Sequence, residues 1–226
     1  MKFRAIIFDM DGTIVNTEHL WHKATATLIA KRGITLSFEA QQALHQRLSG
    51  LDVFQSCSLI KQTINASESV SELIAEKTAL ALSFYQNDLC FINGFTEFHQ
   101  QARAFSLKMG IATNANDATL AITQKSLCLN KFFDTHIYGI SCVNNIGKPN
   151  PAIYLHAAQQ LMVDPTECIA IEDSANGIKA AQNAGMFCIG ITTSGNPYQT
   201  EKAHLIVNSY QEIPLKELLG VNDKSQ

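Results

Sequence analysis

A chain of 226 residues, with 46% hydrophobic and 16% charged side chains, has room for one large core with an insertion and is too apolar for general disorder. Its 17 Lys+Arg stand against 20 Asp+Glu, a net charge of −3, with no basic run, which excludes the electrostatic footprint of a nucleic-acid binder. Six scattered cysteines without a C-x-x-C pair read as reduced core residues; with no secretory signal and no apolar run near about 18 residues, a soluble cytoplasmic protein without membrane contact is expected.

The first predicted strand is FRAIIF, residues 3–8, and it runs directly into Asp9 and Asp11. From 17 to 90 the pattern is helical and no strand is evident. Residues 67–87 show this best, with a capping box from Ser69 to Glu72 and Val70, Leu73, Ile74, Leu80 and Phe84 on one face. Strands then recur at 107–112, 135–140, 168–171 and 186–191. Helical stretches at 150–161 and 175–184 lie among them, the second started by Ser174 as N-cap and stopped by Gly185. The alternation predicts an α/β fold, a Rossmann-like parallel sheet with helices on both faces. Residues 1–16 and 91–226 form this core, and 17–90 form an inserted, all-helical domain.

In open parallel sheets the carboxyl ends of the strands meet at the ligand site. Those ends carry Asp9 with Asp11, then Thr113-Asn114, then Glu172-Asp173, with Lys148 in the loop after the 135–140 strand. Two like charges roughly 4 to 5 Å apart repel by about 3 to 4 kcal/mol at an effective dielectric of ~20, so four gathered carboxylates exceed what Lys148 can offset. A hard divalent cation with oxygen ligands, Mg²⁺, restores the balance and favours an anionic substrate over a neutral one. Lys148, the Thr113 hydroxyl and backbone amides near Asp11, Gly12 and Asn114 complete a cup for a phosphoryl group. An isolated aspartate at a strand end is more often a turn cap; the coincidence of Asp9 with Asp11, Lys148 and Asp173 shifts the reading to catalysis. Gly12, lacking Cβ, permits the sharp turn that aims both aspartates to one side.

In chain order, D-M-D-G-T (9–13), T-N (113–114), G-K-P-N-P (147–151) and E-D-S-A-N-G (172–177) resemble the four motifs of the haloacid dehalogenase superfamily, in its phosphatase and phosphomutase branch. The resemblance implies that the helical insertion is a cap over the substrate and that the enzyme is a phosphoric monoester hydrolase. It implies Asp9 as the nucleophile that forms an aspartyl phosphate, and Asp11 as the acid for the leaving group and then the base for water. Thr113 and Lys148 would hold the phosphoryl oxygens. Asp9, the Asp11 carbonyl and Asp173 would bind Mg²⁺, with Glu172 assisting directly or through water.

Asn16 departs from the family pattern, which has Asp before Ser or Thr at the position where this chain reads N-T. The loop R-L-S-G-L-D-V, residues 47–53, resembles the family's specificity loop around Gly50. Val53 stands where a phosphonoacetaldehyde hydrolase carries its Schiff-base lysine. Ser49 and Val53 replace the Lys and Arg with which a β-phosphoglucomutase grips its second phosphate, although Arg47 lies close. The resemblance therefore favours hydrolysis of a small phosphate monoester, a small phosphorylated metabolite with a sugar phosphate as the first choice, with a mutase as the alternative and an inactive metabolite-binding module behind it. His19, Trp21 and His22 are read as cap-core or solvated residues. Oligomeric state is not legible, and a monomer is favoured.

Overall fold

The fold was determined as a computed structural model, which describes residues 2–48, 51, 53–85, 88–193 and 199–221. In chain order the elements are β1 (Ala5–Phe8), α1 (Glu18–Ala30), α2 (Phe38–Leu48), α3 (Val53–Ile64), α4 (Val70–Tyr85), α5 (Phe95–Ala104), β2 (Lys108–Ala112), α6 (Asp117–Ser126), α7 (Asn130–Phe133), β3 (Ile137–Tyr138), α8 (Ala152–Leu161), β4 (Cys168–Glu172), α9 (Ala175–Asn183), β5 (Phe187–Ile191), β6 (Leu205–Val207) and α10 (Leu215–Leu218). They divide into two compact units, Met1–Asn16 with Cys90–Gln226, and Thr17–Leu89.

The first unit is built on a six-stranded parallel sheet in the order β3-β2-β1-β4-β5-β6. Its central strands are apolar on both faces because helices cover both. On one face Ala5 and Ile7 of β1 join Ile153, Tyr154 and Ala157 of α8 and Ile178 and Ala181 of α9. On the other, Phe8 meets Phe95 and Phe98 of α5 and Phe133 of α7 edge-on, at centroid distances of 5.7 to 6.3 Å. Such tilted aromatic contacts each add about 0.5–1.5 kcal/mol beyond area burial.

Two sequence expectations shift. The 135–140 run yields only Ile137–Tyr138 as strand, because the chain turns into a 3-10 segment at Ile140. β6 was not expected from sequence: it has only three residues at a sheet edge, with Ile206 exposed, and so carries little alternation to read.

The second unit is all helical, from α1 to α4. Leu28, Ile29, Leu44, Leu48, Cys57, Ile60 and Leu73 form its core. The capping box forms at α4: Ser69 N donates to Glu72 Oε2 at 2.8 Å, and Glu72 N donates to Ser69 Oγ at 3.3 Å. The most buried line of α4 is Leu73, Lys77, Ala81 and Tyr85, whereas Val70, Ile74 and Leu80 pack at its margin. A lysine in that line disguised it. Lys77 Nζ donates to Ser56 Oγ at 2.5 Å and lies 5.7 Å from the Trp21 ring centroid, so its charge is solvated from within. Burial nevertheless lowers its pKa.

Candidate active site

Strand register brings the chemistry together. Phe8 pairs with Ile111 on one side and Ile171 on the other, so the residues that follow, Asp9, Ala112 and Glu172, arrive level at the carboxyl edge. The Asp9 amide completes the alignment by donating to the Ile171 carbonyl at 3.0 Å.

Lys148 enters from its loop, where a cis peptide bond joins it to Pro149. Its amide donates to Asn114 Oδ1 at 3.0 Å, so the Asn114 side chain holds the lysine loop. The Lys148 ammonium donates to Asp9 Oδ1 at 2.5 Å and to Glu172 Oε1 at 2.6 Å. All three side chains are almost wholly buried. Removing one partner of such an arrangement strands charge at a cost of about 3–5 kcal/mol.

Glu172 is engaged at both oxygens. Oε1 accepts from Lys148 and from the Tyr154 hydroxyl at 2.8 Å; Oε2 accepts from the amides of Asp173 and Ser174 and from the Ser174 hydroxyl. Ser174 Oγ in turn accepts from Gly177 N at 3.1 Å, the expected N-cap of α9. Gly177 is required by space, since a Cβ there would lie 1.8 Å from Glu172 Oε1.

Gly12 adopts φ +81°, and a Cβ on it would lie 2.2 Å from Asp173 Oδ2. The D-M-D-G-T loop is held from three directions: Thr13 Oγ1 donates to Asp173 Oδ1 at 3.4 Å, the Thr193 hydroxyl to the Gly12 carbonyl, and the Tyr210 hydroxyl to the Thr13 carbonyl at 2.9 Å. Thr113 is buried at the end of β2, with its hydroxyl accepting from Ala115 N at 3.0 Å. Gly50 lies outside the described residues.

Among the described residues, Asp9, Glu172 and Asp173 form the one cluster of potential metal ligands, offering oxygens within 4.8 Å of one another. Asp11 lies near enough to act electrostatically on Asp173. Burial, then Glu172, pushes the Asp173 carboxyl up to about 8, with Lys148 opposing and Asp11 adding. Burial also raises Asp9, and its negative neighbours Glu172 and Asp173 add to the rise against Lys148. The two carboxylates beside Lys148 raise its pKa in spite of burial, which keeps it an ammonium. Three carboxylates against one ammonium, all oxygen donors, is a set that fits a hard divalent cation.

Sequence reasoning missed Tyr154, Thr193 and Tyr210. Tyr154 was detectable as a hydroxyl on the apolar line of α8, six residues past Lys148; the other two come from segments that carry no motif.

A six-stranded parallel sheet with acids and a lysine gathered at its carboxyl edge, and a helical unit inserted after its first strand, defines a Rossmann-like α/β enzyme core. The chain belongs to the haloacid dehalogenase-like hydrolases, whose family model matches residues 3–185. It is 28% identical over 222 residues to hexitol phosphatase B of Escherichia coli strain K12, covering 96% of each chain. It is 27% identical over 217 residues to validoxylamine A 7'-phosphate phosphatase of Streptomyces hygroscopicus subsp. limoneus (93% and 96% covered), and 28% identical over 224 residues to β-phosphoglucomutase of Bacillus subtilis (95% and 93%). Among solved structures, β-phosphoglucomutase from Clostridium difficile aligns at a TM-score of 0.68 and 27% identity, covering 97% of this chain and 96% of that one. A HAD family hydrolase from Deinococcus radiodurans R1, solved with phosphate and sodium, shares the fold at a TM-score of 0.79 and 24% identity over 99% of both chains.

Proposed function

We propose that this protein is a Mg²⁺-dependent phosphatase that hydrolyses a small sugar phosphate through an aspartyl phosphate on Asp9. The observation that carries the reading is the buried Lys148 ammonium bridging Asp9 and Glu172 beside Asp173. Asp9 and Asp173, with the Asp11 carbonyl, would hold the cation, and Glu172 would assist through water because its oxygens already serve five donors. When bound, Mg²⁺ supplies positive charge against the phosphoryl oxygens and lowers the repulsion among the acids.

An Asp9 oxygen attacks phosphorus in line, and the bond to the ester oxygen breaks. Asp11 gives its proton to the departing alkoxide, then takes one from the water that attacks the aspartyl phosphate. Orthophosphate leaves and Asp9 is restored. Lys148, the Thr113 hydroxyl and the amides around Gly12 and Asn114 hold the phosphoryl oxygens throughout. We assign residues 17–89 the role of the substrate-selecting cap. The phosphatase names of two relatives support a sugar-like substrate.

A second reading, a phosphomutase, is favoured by the β-phosphoglucomutase relative and opposed by the residues at 49 and 53. The test is phosphate release from a panel of sugar phosphates with Mg²⁺ or EDTA, beside Asp9→Asn. Metal-dependent release is expected, reduced at least about a thousandfold by the substitution. Conversion of glucose 1-phosphate to 6-phosphate with little release favours the mutase. No metal-dependent turnover of any compound overturns both readings.

A further inference from the structure

Tyr154 stands in the first turn of α8, with no exposed surface, against both charged partners of the site. Its hydroxyl donates to Glu172 Oε1 at 2.8 Å. Its oxygen also lies 3.5 Å from Lys148 Nζ, and that nitrogen is 4.8 Å from the ring centroid.

An ammonium carries three N–H donors. Two of those on Lys148 are spent on short bonds to Asp9 Oδ1 and Glu172 Oε1. The third has the Tyr154 oxygen, at the limit of a hydrogen bond. Lysine is a point charge on a flexible four-carbon stem and does not fix its own direction. The ring supplies a surface that attracts the cation, and the hydroxyl fixes the carboxylate that the cation also binds.

We propose that Tyr154 is a positioning residue: it seats the Lys148 ammonium between Asp9 and Glu172 and leaves the third N–H, loosely held, for a phosphoryl oxygen. The kinetic consequence rests on the phosphatase reading, whereas the seating itself exists without turnover. Phenylalanine keeps the ring and loses the hydroxyl; leucine loses both.

The test uses the full chain as wild type, Tyr154→Phe and Tyr154→Leu. Ile153→Ala, fully buried on the same helix turn, controls for a general loss of packing. Lysines are acetylated with N-hydroxysuccinimidyl acetate in the absence of substrate and read by peptide mass spectrometry. Labelling of Lys148 is expected to rise about twofold in Tyr154→Phe and about tenfold in Tyr154→Leu, and to stay at the wild-type level in Ile153→Ala. In turnover, kcat is expected to fall about threefold and about a hundredfold in the two tyrosine variants, with KM changed less than about twofold. Wild-type labelling of Lys148 in Tyr154→Leu, an equal rise in Ile153→Ala at a matched loss of Tm, or an unchanged kcat in Tyr154→Leu overturns the proposal. Should the wild type turn over no phosphate ester, the phosphatase reading fails by itself, and the labelling still decides the seat.

Discussion

Gly12 shows how one missing atom shapes the site. Its φ of +81° is a conformation in which any other residue costs about 1–2 kcal/mol, and the space of its absent Cβ is filled by the Asp173 carboxylate. Gly12→Ala therefore strains the backbone and pushes Asp173 aside. The expected outcome is a stability loss of about 1–2 kcal/mol in urea titration and a fall in kcat of about a hundredfold, since a displacement near 1 Å in a reacting constellation costs that much. Wild-type kcat in a folded Gly12→Ala protein contradicts this account. Residue types carried much of the site in the sequence: Asp9, Asp11, Lys148, Glu172 and Asp173 stand out by their places at or just beyond the ends of predicted strands. The bond from the Lys148 amide to the Asn114 side chain is not legible in sequence, because which way an amide side chain points depends on the neighbouring loop, which its own segment does not encode.

Local rules were most dependable where one helix contains both halves of an interaction. The Ser69–Glu72 capping box was readable because donor and acceptor lie three residues apart and the bond is made within the first turn. Ser69→Ala removes the acceptor for the Glu72 amide, and a loss of about 1 kcal/mol is expected in the helical unit. Trp21, the chain's one tryptophan, lies in that unit and reports its unfolding by fluorescence, while phosphatase kcat should stay within about twofold of wild type. The same helix also shows where local rules stop. Its innermost line includes Lys77, which hydropathy assigns to water, because Ser56 and Trp21 come from two other helices to receive it. β6 was invisible for a related reason: a three-residue edge strand is defined by β5, its partner, and not by its own pattern.

Stability of the whole molecule should report the charge imbalance at the sheet edge. Asp173, pushed up to about 8 in the folded chain, releases its proton at far lower pH when unfolded. Between those values the folded state holds the extra proton, so stability falls as pH rises. Below the ordinary histidine range the sign is opposed by His22, which burial and its cationic neighbours lower to about 4, so that unfolding takes up a proton there. From about pH 6.5 to 8, EDTA-treated protein is thus expected to lose Tm and to level off above that, and saturating Mg²⁺ to flatten the decline by holding Asp173 as carboxylate. A decline of equal slope with and without Mg²⁺, measured by calorimetry, contradicts the proposed role of Asp173 as a metal ligand.

The linear order of residues determined the alternation of strands and helices, the all-helical run from 17 onward, and the acids, lysine and glycines that mark a phosphoryl-handling edge, because periodicity and backbone permission act over a few neighbouring residues. Only the tertiary structure decided that Lys148 bridges Asp9 and Glu172, that Tyr154 stands against both, and that Tyr210 and Thr193 hold the loop at 12–13. Those contacts span up to 197 residues, and a side chain's partner across such a distance is chosen by strand register and burial, which no single segment contains.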